Sequence, residues 1–474
     1  MKRLFPLRTL SYCLLLPLGT AQAMDLQQAY QDALRYDAGW ASTREQYAAS
    51  EENATQAEAA LLPQVSASGT LSSIHISPTE QFPAFGLYNR TYTNKLATVQ
   101  AMQPLFNGQA WASYHAARKA NSAATAQFEN DKQKFMLKLA SAYFDVLRAR
   151  ENLVYQQAQE KAIGRQLEQT QKRFEVGLVA ITEVHEAQAA FDSAVADRIS
   201  AETQVSSAEL NLATLTGKDQ QALAILRSDA PVDQLPAHSE TDWSTLAVQE
   251  NPAIEAARLQ MQAAHQQVLA ARAGHLPTLA LVGNWQDANT SGANPFIDGR
   301  TTSVGLQLSV PLYEGGLTQS QVRQALDKEN AARDQLDLAQ RVAVQSTRIS
   351  YLSVATDAAR VKARKQAVSS SAAALVATEA GYDVGTRDIV EVMQAQRDLY
   401  AAKSAYANAR YDYVIDGLRL KAAAGQLRDI DISQLNTWLD AKGSIDVDTL
   451  NPEIQQMPAS PKAPGTTPPI PRHR

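Results

Sequence analysis

The sequence has one cysteine, few aromatic residues and, beyond its first two dozen positions, no long apolar run. Cys13 lies inside an N-terminal apolar stretch, so the rest of the chain has no thiol for a disulfide, a cysteine metal site or thiolate catalysis. Aromatic residues are 7% and charged residues 20% of the 474 positions, which indicates long, narrowly packed helices rather than thick cores. Without a run of ~18 apolar residues, this part of the chain could cross a membrane only as β-strands.

Positive charge is also scarce. The chain has 44 basic and 49 acidic side chains and a formal net charge of -5, which offers no electrostatic footprint for nucleic acid. The seven histidines show no metal-ligand spacing, and the sequence lacks a glycine-rich phosphate loop and a nucleophile elbow. We therefore expect no metal, no cofactor and no enzymatic activity.

Residues 1–23 have the layout of a secretory signal peptide. Three basic residues are followed by an apolar stretch and by the small-residue end Ala21-Gln22-Ala23, which predicts cleavage after Ala23. The alternative is an apolar first helix, which Pro17 and Gly19 disfavour.

Proline is absent from two long tracts, between Pro104 and Pro231 and between Pro311 and Pro452. An interior proline costs a helix about 3 kcal/mol, so these tracts are where long helices are permitted. The predicted helices are 109–174, 181–216, 317–380 and 389–424. The helix 109–174 would be ~100 Å long, which indicates a coiled coil or a helical stalk.

An internal repeat organises the chain. Phe174-Glu-Val-Gly177 matches Tyr382-Asp-Val-Gly385 at an offset of 208, and the match continues without a gap to Gly217 and Gly425, with 12 identities in 44 positions. Alanine-rich helices can match by chance, but paired prolines in the same order favour a duplication. The predicted divisions are a signal peptide, a first repeat, a linker, a second repeat, a further segment and a disordered proline-rich tail, at 1–23, 24–217, 218–250, 251–425, 426–450 and 451–474.

Two-residue periodicity predicts four strands, two in each repeat. They lie near 64–76, 91–103, 278–288 and 300–310, and the prolines that mark the helix-strand transitions are Pro63, Pro104, Pro277 and Pro311. Each strand has the length that spans a tilted path through a bilayer. The connecting loops carry the aromatic residues Phe82, Phe85, Tyr88 and Phe296. These fit an interfacial girdle or ordinary loop packing.

Four strands cannot close a barrel, and an open sheet edge cannot face lipid. The strands would then be shared between chains, eight in a dimer or twelve in a trimer, and the residues alone do not choose. A soluble alternative, two hairpins on a globular core, gives helices of this length nothing comparable to pack on.

With these features the sequence resembles the TolC family of outer-membrane efflux and secretion channels, and its non-lipidated members more than its lipid-anchored ones. The residues that carry the resemblance are Gly274-His-Leu-Pro-Thr-Leu279, Val310-Pro-Leu-Tyr-Glu-Gly-Gly316, Gln366-Ala-Val368, Glu379-Ala-Gly-Tyr-Asp-Val-Gly-Thr-Arg387, Ile389-Val-Glu-Val392 and Asn408-Ala-Arg-Tyr411. The family implies an α+β membrane protein, a homotrimer with a 12-stranded β-barrel in the outer membrane of a Gram-negative bacterium. A 12-helix α-barrel would continue it through the periplasm, with an equatorial belt from 218–250 and 426–450.

The resemblance also implies a function and partners. The channel would be the passive exit duct of a tripartite efflux or type I secretion system, with a link to multidrug resistance. It would work with a periplasmic adaptor and, through it, an inner-membrane RND, MFS or ABC pump. Substrates are not indicated. The rival function, a periplasmic adaptor or trimeric stalk, would not need paired hairpins.

A gate is implied at the periplasmic tip, beside helix breaks at two matched glycines. By resemblance, a tyrosine and an arginine are tied to a threonine-acid pair, and two further positions form rings at the constriction. The residues are Thr182, Glu183, Tyr382, Arg387, Glu391 and Gln394, and the breaks are Gly177 and Gly385. Gln394 departs from the family, in which this ring position is acidic. The alternative is that these residues are solvated charges that cap helices.

Overall fold

The computed structural model describes residues 23–78, 89–219, 222–291, 298–441 and 443. Most of the predicted signal peptide, the aromatic residues of the two hairpin loops (Phe82, Phe85, Tyr88 and Phe296) and the proline-rich segment 451–474 lie outside these ranges.

Helices dominate the described part of the chain, with two β-hairpins between them. The helices are α1 (Leu26–Tyr36), α2 (Ala38–Ala59), α3 (Gly108–Glu175), α4 (Ile181–Thr216), α5 (Glu240–Glu250), α6 (Pro252–Ala273), α7 (Leu317–Asp383), α8 (Ile389–Ala423) and α9 (Asp429–Asn436). The strands are β1 (Gln64–Ile76), β2 (Arg90–Phe106), β3 (Ile225–Leu226), β4 (Thr278–Ser291), β5 (Gly299–Ser309) and β6 (Leu439–Asp440).

The long helices α3 and α7 have nearly equal lengths, 68 and 67 residues, which corresponds to ~100 Å each. Helix α7 extends past the predicted end at 380, because Gly381 stays helical and the chain turns only at Gly385, which has a φ of 76°. Of the described helices, none combines the length and the apolar composition needed to cross a membrane.

The two hairpins form one antiparallel sheet in the order β1-β2-β4-β5. Strand β2 of the first repeat pairs with β4 of the second, with Val99 opposite Trp285. Strands β1 and β5 are therefore the two edges of the sheet within this chain. Their apolar side chains are exposed, including Leu71 at 72% and Val304 at 74%.

The four transition prolines occupy two kinds of position. Pro63 and Pro277 directly precede β1 and β4, and Pro311 follows the end of β5. Pro104 instead lies within the last residues of β2, which continues to Phe106, beyond the predicted end at 103. Proline has no N–H for the ladder, and the register shifts between Pro104 and Phe106, so an irregularity accommodates it.

The main core surrounds the middle of α3 and the C-terminal parts of α4 and α8. Packed against them are α1, α9 and the two-stranded sheet β3-β6, which joins Ile225 to Asp440 across two distant segments. We call α1, residues 222–250 and residues 426–441 the belt. The contribution of α1 is not evident from the repeat pattern, and its buried Leu26 and Tyr30 complete this core.

Candidate functional site

The two long helical hairpins end in turns with the same backbone. Gly177 and Gly385 both adopt the left-handed conformation, with φ of 77° and 76°. In each turn the glycine N–H donates to a carbonyl three residues back, Phe174 at 2.9 Å and Tyr382 at 3.1 Å. Glycine is favoured at both positions because a side chain in this conformation is sterically disfavoured. The two predicted helix breaks are therefore helix termini of one type.

Just behind the turns, residues of α3, α4, α7 and α8 form one apolar cluster, which we call the tip cluster. Its buried members are Ile163, Leu167, Ala187, Ala190, Ala194, Tyr382, Ile389, Val392 and Met393. The alanines all belong to α4, and such small side chains let helices approach closely. The tips of the two hairpins consequently pack as one unit and place their polar residues at the same end of the molecule.

Tyr382 is the only tyrosine of this cluster, and its side chain is 8% exposed. Its ring lies under the guanidinium of Arg173, with 4.7 Å from Cζ to the ring centroid, and Arg173 is 3.8 Å from Asp383. The phenol oxygen is buried and has no hydrogen-bond partner within the described part of the chain. A buried hydroxyl without a partner costs about 1–3 kcal/mol, so this oxygen is available to a group outside the single chain or from a shifted helix.

Arg387 lies between the second turn and α8, and its side chain extends along the first turn of α8. Its guanidinium donates to the Glu391 carboxylate one helical turn later, while Asp388 caps the helix by accepting from the Glu391 N–H at 2.9 Å. The stem of Arg387 also lies against Gly381, where an added Cβ would meet Arg387 Cγ at 2.7 Å. Gly381 thus leaves room for the arginine, a requirement that the sequence alone does not reveal.

The other expected gate residues lie on the first turn of α4 and further along α8. Thr182 is exposed and Glu183 half-buried. Within the residues that the structure describes, no hydrogen bond joins either of them to Tyr382 or Arg387. Gln394 is exposed; its amide donates to Asp398 at 2.8 Å and its oxygen accepts from Arg397 at 2.9 Å. The single chain therefore joins Arg387 to Glu391, a contact that was not predicted. The predicted links of Tyr382 and Arg387 to Thr182 and Glu183 are not made among the described residues.

A second polar arrangement lies near the belt and was not predicted. Glu151 of α3 is 2% exposed and accepts from the hydroxyls of Tyr155, at 2.9 Å, and Tyr411, at 2.8 Å. Burial raises the pKa of Glu151, while the nearby Arg410 guanidinium and the two hydroxyls act in the opposite direction. Arg410 in turn donates to the backbone carbonyl of Arg227, next to β3. The network thus fastens the long helices to the belt.

Asp357 of α7 forms the centre of a third group. Its side chain is buried, and the guanidinium of Arg360 is 2.8 Å from its carboxylate. Burial, followed by the charge of Asp416, raises the pKa of Asp357 to about 6. This carboxyl therefore changes charge close to neutral pH.

The chain belongs to the Outer membrane efflux protein family, whose sequence pattern matches residues 26–218 and 243–426. It is 36% identical to the outer membrane protein TolC of Vibrio cholerae over 451 residues, covering 93% of this chain and 99% of the relative. It is 28% identical to the proteases secretion protein PrtF of Dickeya chrysanthemi, covering 91% and 95%. The family resemblance is confirmed.

The fold has a close counterpart among solved structures. The structure of CusC, which is described as forming a transmembrane channel, superposes with a TM-score of 0.73 over 84% of this chain and 92% of that one. At 18% identity this likeness concerns the fold alone.

Proposed function

We propose that this protein is the outer-membrane exit duct of an efflux or type I secretion system, and that three copies form the duct. The observation that carries the proposal is the open sheet. Strands β1 and β5 are edges within the chain, and their apolar side chains face outward without a cover. Exposed edges of this kind pair with another chain, and in lipid they must do so.

The open edges fit either two or three copies, and the resemblance to the family supports three. Three four-stranded sheets would give a 12-stranded barrel, and the ~100 Å helices would continue it as a 12-helix barrel through the periplasm of a Gram-negative bacterium. The belt would surround the helices midway. An adaptor would link the helical end to an RND, MFS or ABC pump in the inner membrane.

The gate would lie at the tip cluster. We propose that Tyr382 and Arg387 hold the duct closed through Thr182 and Glu183 and that Glu391 and Gln394 line the constriction. The buried, unpartnered hydroxyl of Tyr382 and the exposed Arg387 support this assignment, because both are donors placed at the same end of the molecule. Release of these links would let the helices move apart like an iris.

Disulfide cross-linking across the sheet edges tests the assembly. Strand β1 follows α2 and β5 precedes α7, so Gln64 and Ser309 both mark the helical end of the sheet. Cysteines introduced by Ser66→Cys and Gln307→Cys would then lie at a similar height on neighbouring copies. Pairing Ser66→Cys with Thr301→Cys places the thiols at opposite ends and is the control.

The expected product from the first pair is a ladder that ends at three chains, in a heat-modifiable species of the outer-membrane fraction. A ladder that ends at two chains contradicts the trimer. Recovery of the protein as a soluble periplasmic species would instead favour an adaptor or stalk.

A further inference from the structure

The belt contains an aromatic groove that the proposed function does not use. It has a volume of about 310 Å³ and lies between residues 234–237, α5, α8 and α9. Three aromatic side chains line it, Trp243, Tyr413 and Trp438. Leu235, at its rim, is 70% exposed. We call this surface the belt groove.

The groove combines apolar walls with a free donor and open space. The indole N–H of Trp243 is buried and has no hydrogen-bond partner among the described residues. Tyr413 donates its hydroxyl to the carbonyl of Gln234 at 2.9 Å, which holds the rim segment against α8. Gly417 of α8 also lines the groove, and a Cβ added there would meet nothing within 4 Å. A surface of aromatic rings with an unpaired donor is suited to an extended ligand that is rich in proline rings and backbone carbonyls.

This chain contains such a segment close by in sequence. Seven of its 19 prolines lie from Pro452 onward, and three of them, Pro458, Pro461 and Pro464, recur every third residue. A polyproline II helix has three residues per turn, so these three rings would lie along one edge, over ~19 Å. Proline-rich segments of this conformation bind aromatic grooves at low entropic cost.

The groove is within reach of that segment. The described chain ends at Gly443, a few residues after Trp438, which itself lines the groove. Residues 444–457 can span ~50 Å when extended, which is more than enough to bring Pro458 back to the belt. A segment tethered this closely also has a high effective concentration at the groove.

We propose that residues Pro458–Pro464 bind the belt groove of their own chain as a polyproline II helix, against Trp243, Tyr413 and Trp438. The bound segment would cover the exposed rim at Leu235 and accept a hydrogen bond from the Trp243 indole. The inference does not depend on what the duct carries.

Two substitutions at Gly417 provide a matched test. Gly417→Phe fills the groove from its open side without removing a core side chain, and Gly417→Ala adds a single methyl group in the same helix. Leu235→Ser, at an exposed position, changes the rim without touching the core. In the full-length protein, a lysine-specific protease can cut after Lys462, which lies within the proposed bound segment.

Cleavage at Lys462 is expected to be slow in the wild type and in Gly417→Ala, and about tenfold faster in Gly417→Phe and Leu235→Ser. A labelled peptide of residues 455–471 should bind the protein truncated after residue 450. Replacement of its prolines 458, 461 and 464 by alanine should weaken binding about tenfold. Equal cleavage rates in all four proteins would overturn the proposal. So would a peptide that fails to bind, as expected if another subunit or partner covers the groove, or that binds Gly417→Phe equally well.

Discussion

The two hairpin tips share a backbone but differ in chemistry. In the repeat, Phe174 of the first copy corresponds to Tyr382 of the second. The Phe174 side chain is 41% exposed, whereas that of Tyr382 is 8% exposed. Arg387 stands where the first copy has Val179. Both tips keep the helical turn and its glycine. The donors proposed for the gate, Tyr382 and Arg387, belong to the second tip, and their proposed partners, Thr182 and Glu183, belong to the first. The same turn geometry is therefore compatible with different side chains beside it.

The largest expected effect comes from removing the polar groups of the second tip. Tyr382→Phe combined with Arg387→Ser removes both donors while the tip cluster keeps its apolar packing. We expect a severalfold rise in the resting conductance of the duct in planar bilayers. Val179→Ser, at the first-tip position that corresponds to Arg387, is the control and should leave the conductance unchanged. An unchanged conductance in the double variant would remove both residues from the gate.

The backbone similarity of the tips can be tested with the paired glycines. An added Cβ at Gly177 or Gly385 would meet nothing within 4 Å, so the cost of alanine comes from the left-handed conformation alone. Each substitution should lower the local free energy of unfolding by ~1–2 kcal/mol, measured by hydrogen exchange of the tip amides. Gly417→Ala, which has open space but no positive φ, should show no such loss. Clearly unequal costs at the two tips would mean that the turns are not equivalent.

The sequence predicts much of this architecture because its strongest signals are local. Glycine, proline and two-residue alternation marked the turns and the strands within a few residues. The order of the strands was not predictable, since the pairing of β2 with β4 joins segments nearly 200 positions apart. The predicted end of α7 at 380 is three residues short, since Gly381 stays helical and makes room for Arg387.

The buried polar network was missed for a related reason. A single glutamate on a long helix, such as Glu151, has the same local pattern whether it faces solvent or a protein interior. Its spacing of four from Tyr155 and the Asn408-Ala-Arg-Tyr411 motif were the available signals. Neither indicates that the two helices meet at that level.

The helix caps offer a smaller test of the difference between the tips. Asp388 caps α8 with its side chain, whereas Ala180, the residue before α4, provides no side-chain cap. Asp388→Ala should destabilise the first turn of α8 by ~1 kcal/mol, and Ala180→Asp should stabilise α4 by a similar amount. Hydrogen exchange at the first amides of each helix measures both changes. Asp388→Asn retains an acceptor and should have little effect; a loss as large as that of alanine would contradict a capping role.

Block of the duct by cations tests the role of Gln394, which stands where the family has an acidic residue. The first copy has Glu186 at the corresponding position. With glutamine here, the proposed trimer would have a single ring of three Glu391 carboxylates. We therefore expect weaker block by a trivalent cation than after Gln394→Asp, which would add three charges. Gln394→Asn is the neutral control. Equal block of the wild type and the aspartate variant in bilayer recordings would exclude this position from the constriction.

The smallest effect concerns pH, at Asp357 of α7. Extending the offset of 208 along the long helices places Ala149 at this position in the first copy. Because burial raises the pKa of Asp357 to about 6, the native state holds this proton more tightly than the unfolded chain does. The stabilisation is complete below the ordinary aspartate pKa of ~4 and is lost as the pH rises through about 6. Asp357→Asn should therefore lose less thermal stability than the wild type between pH 5 and pH 7. Asp334→Asn, at an exposed position on the same helix, should follow the wild type. If the melting temperatures of all three proteins change equally between pH 5 and pH 7, this difference between the repeats has no energetic consequence.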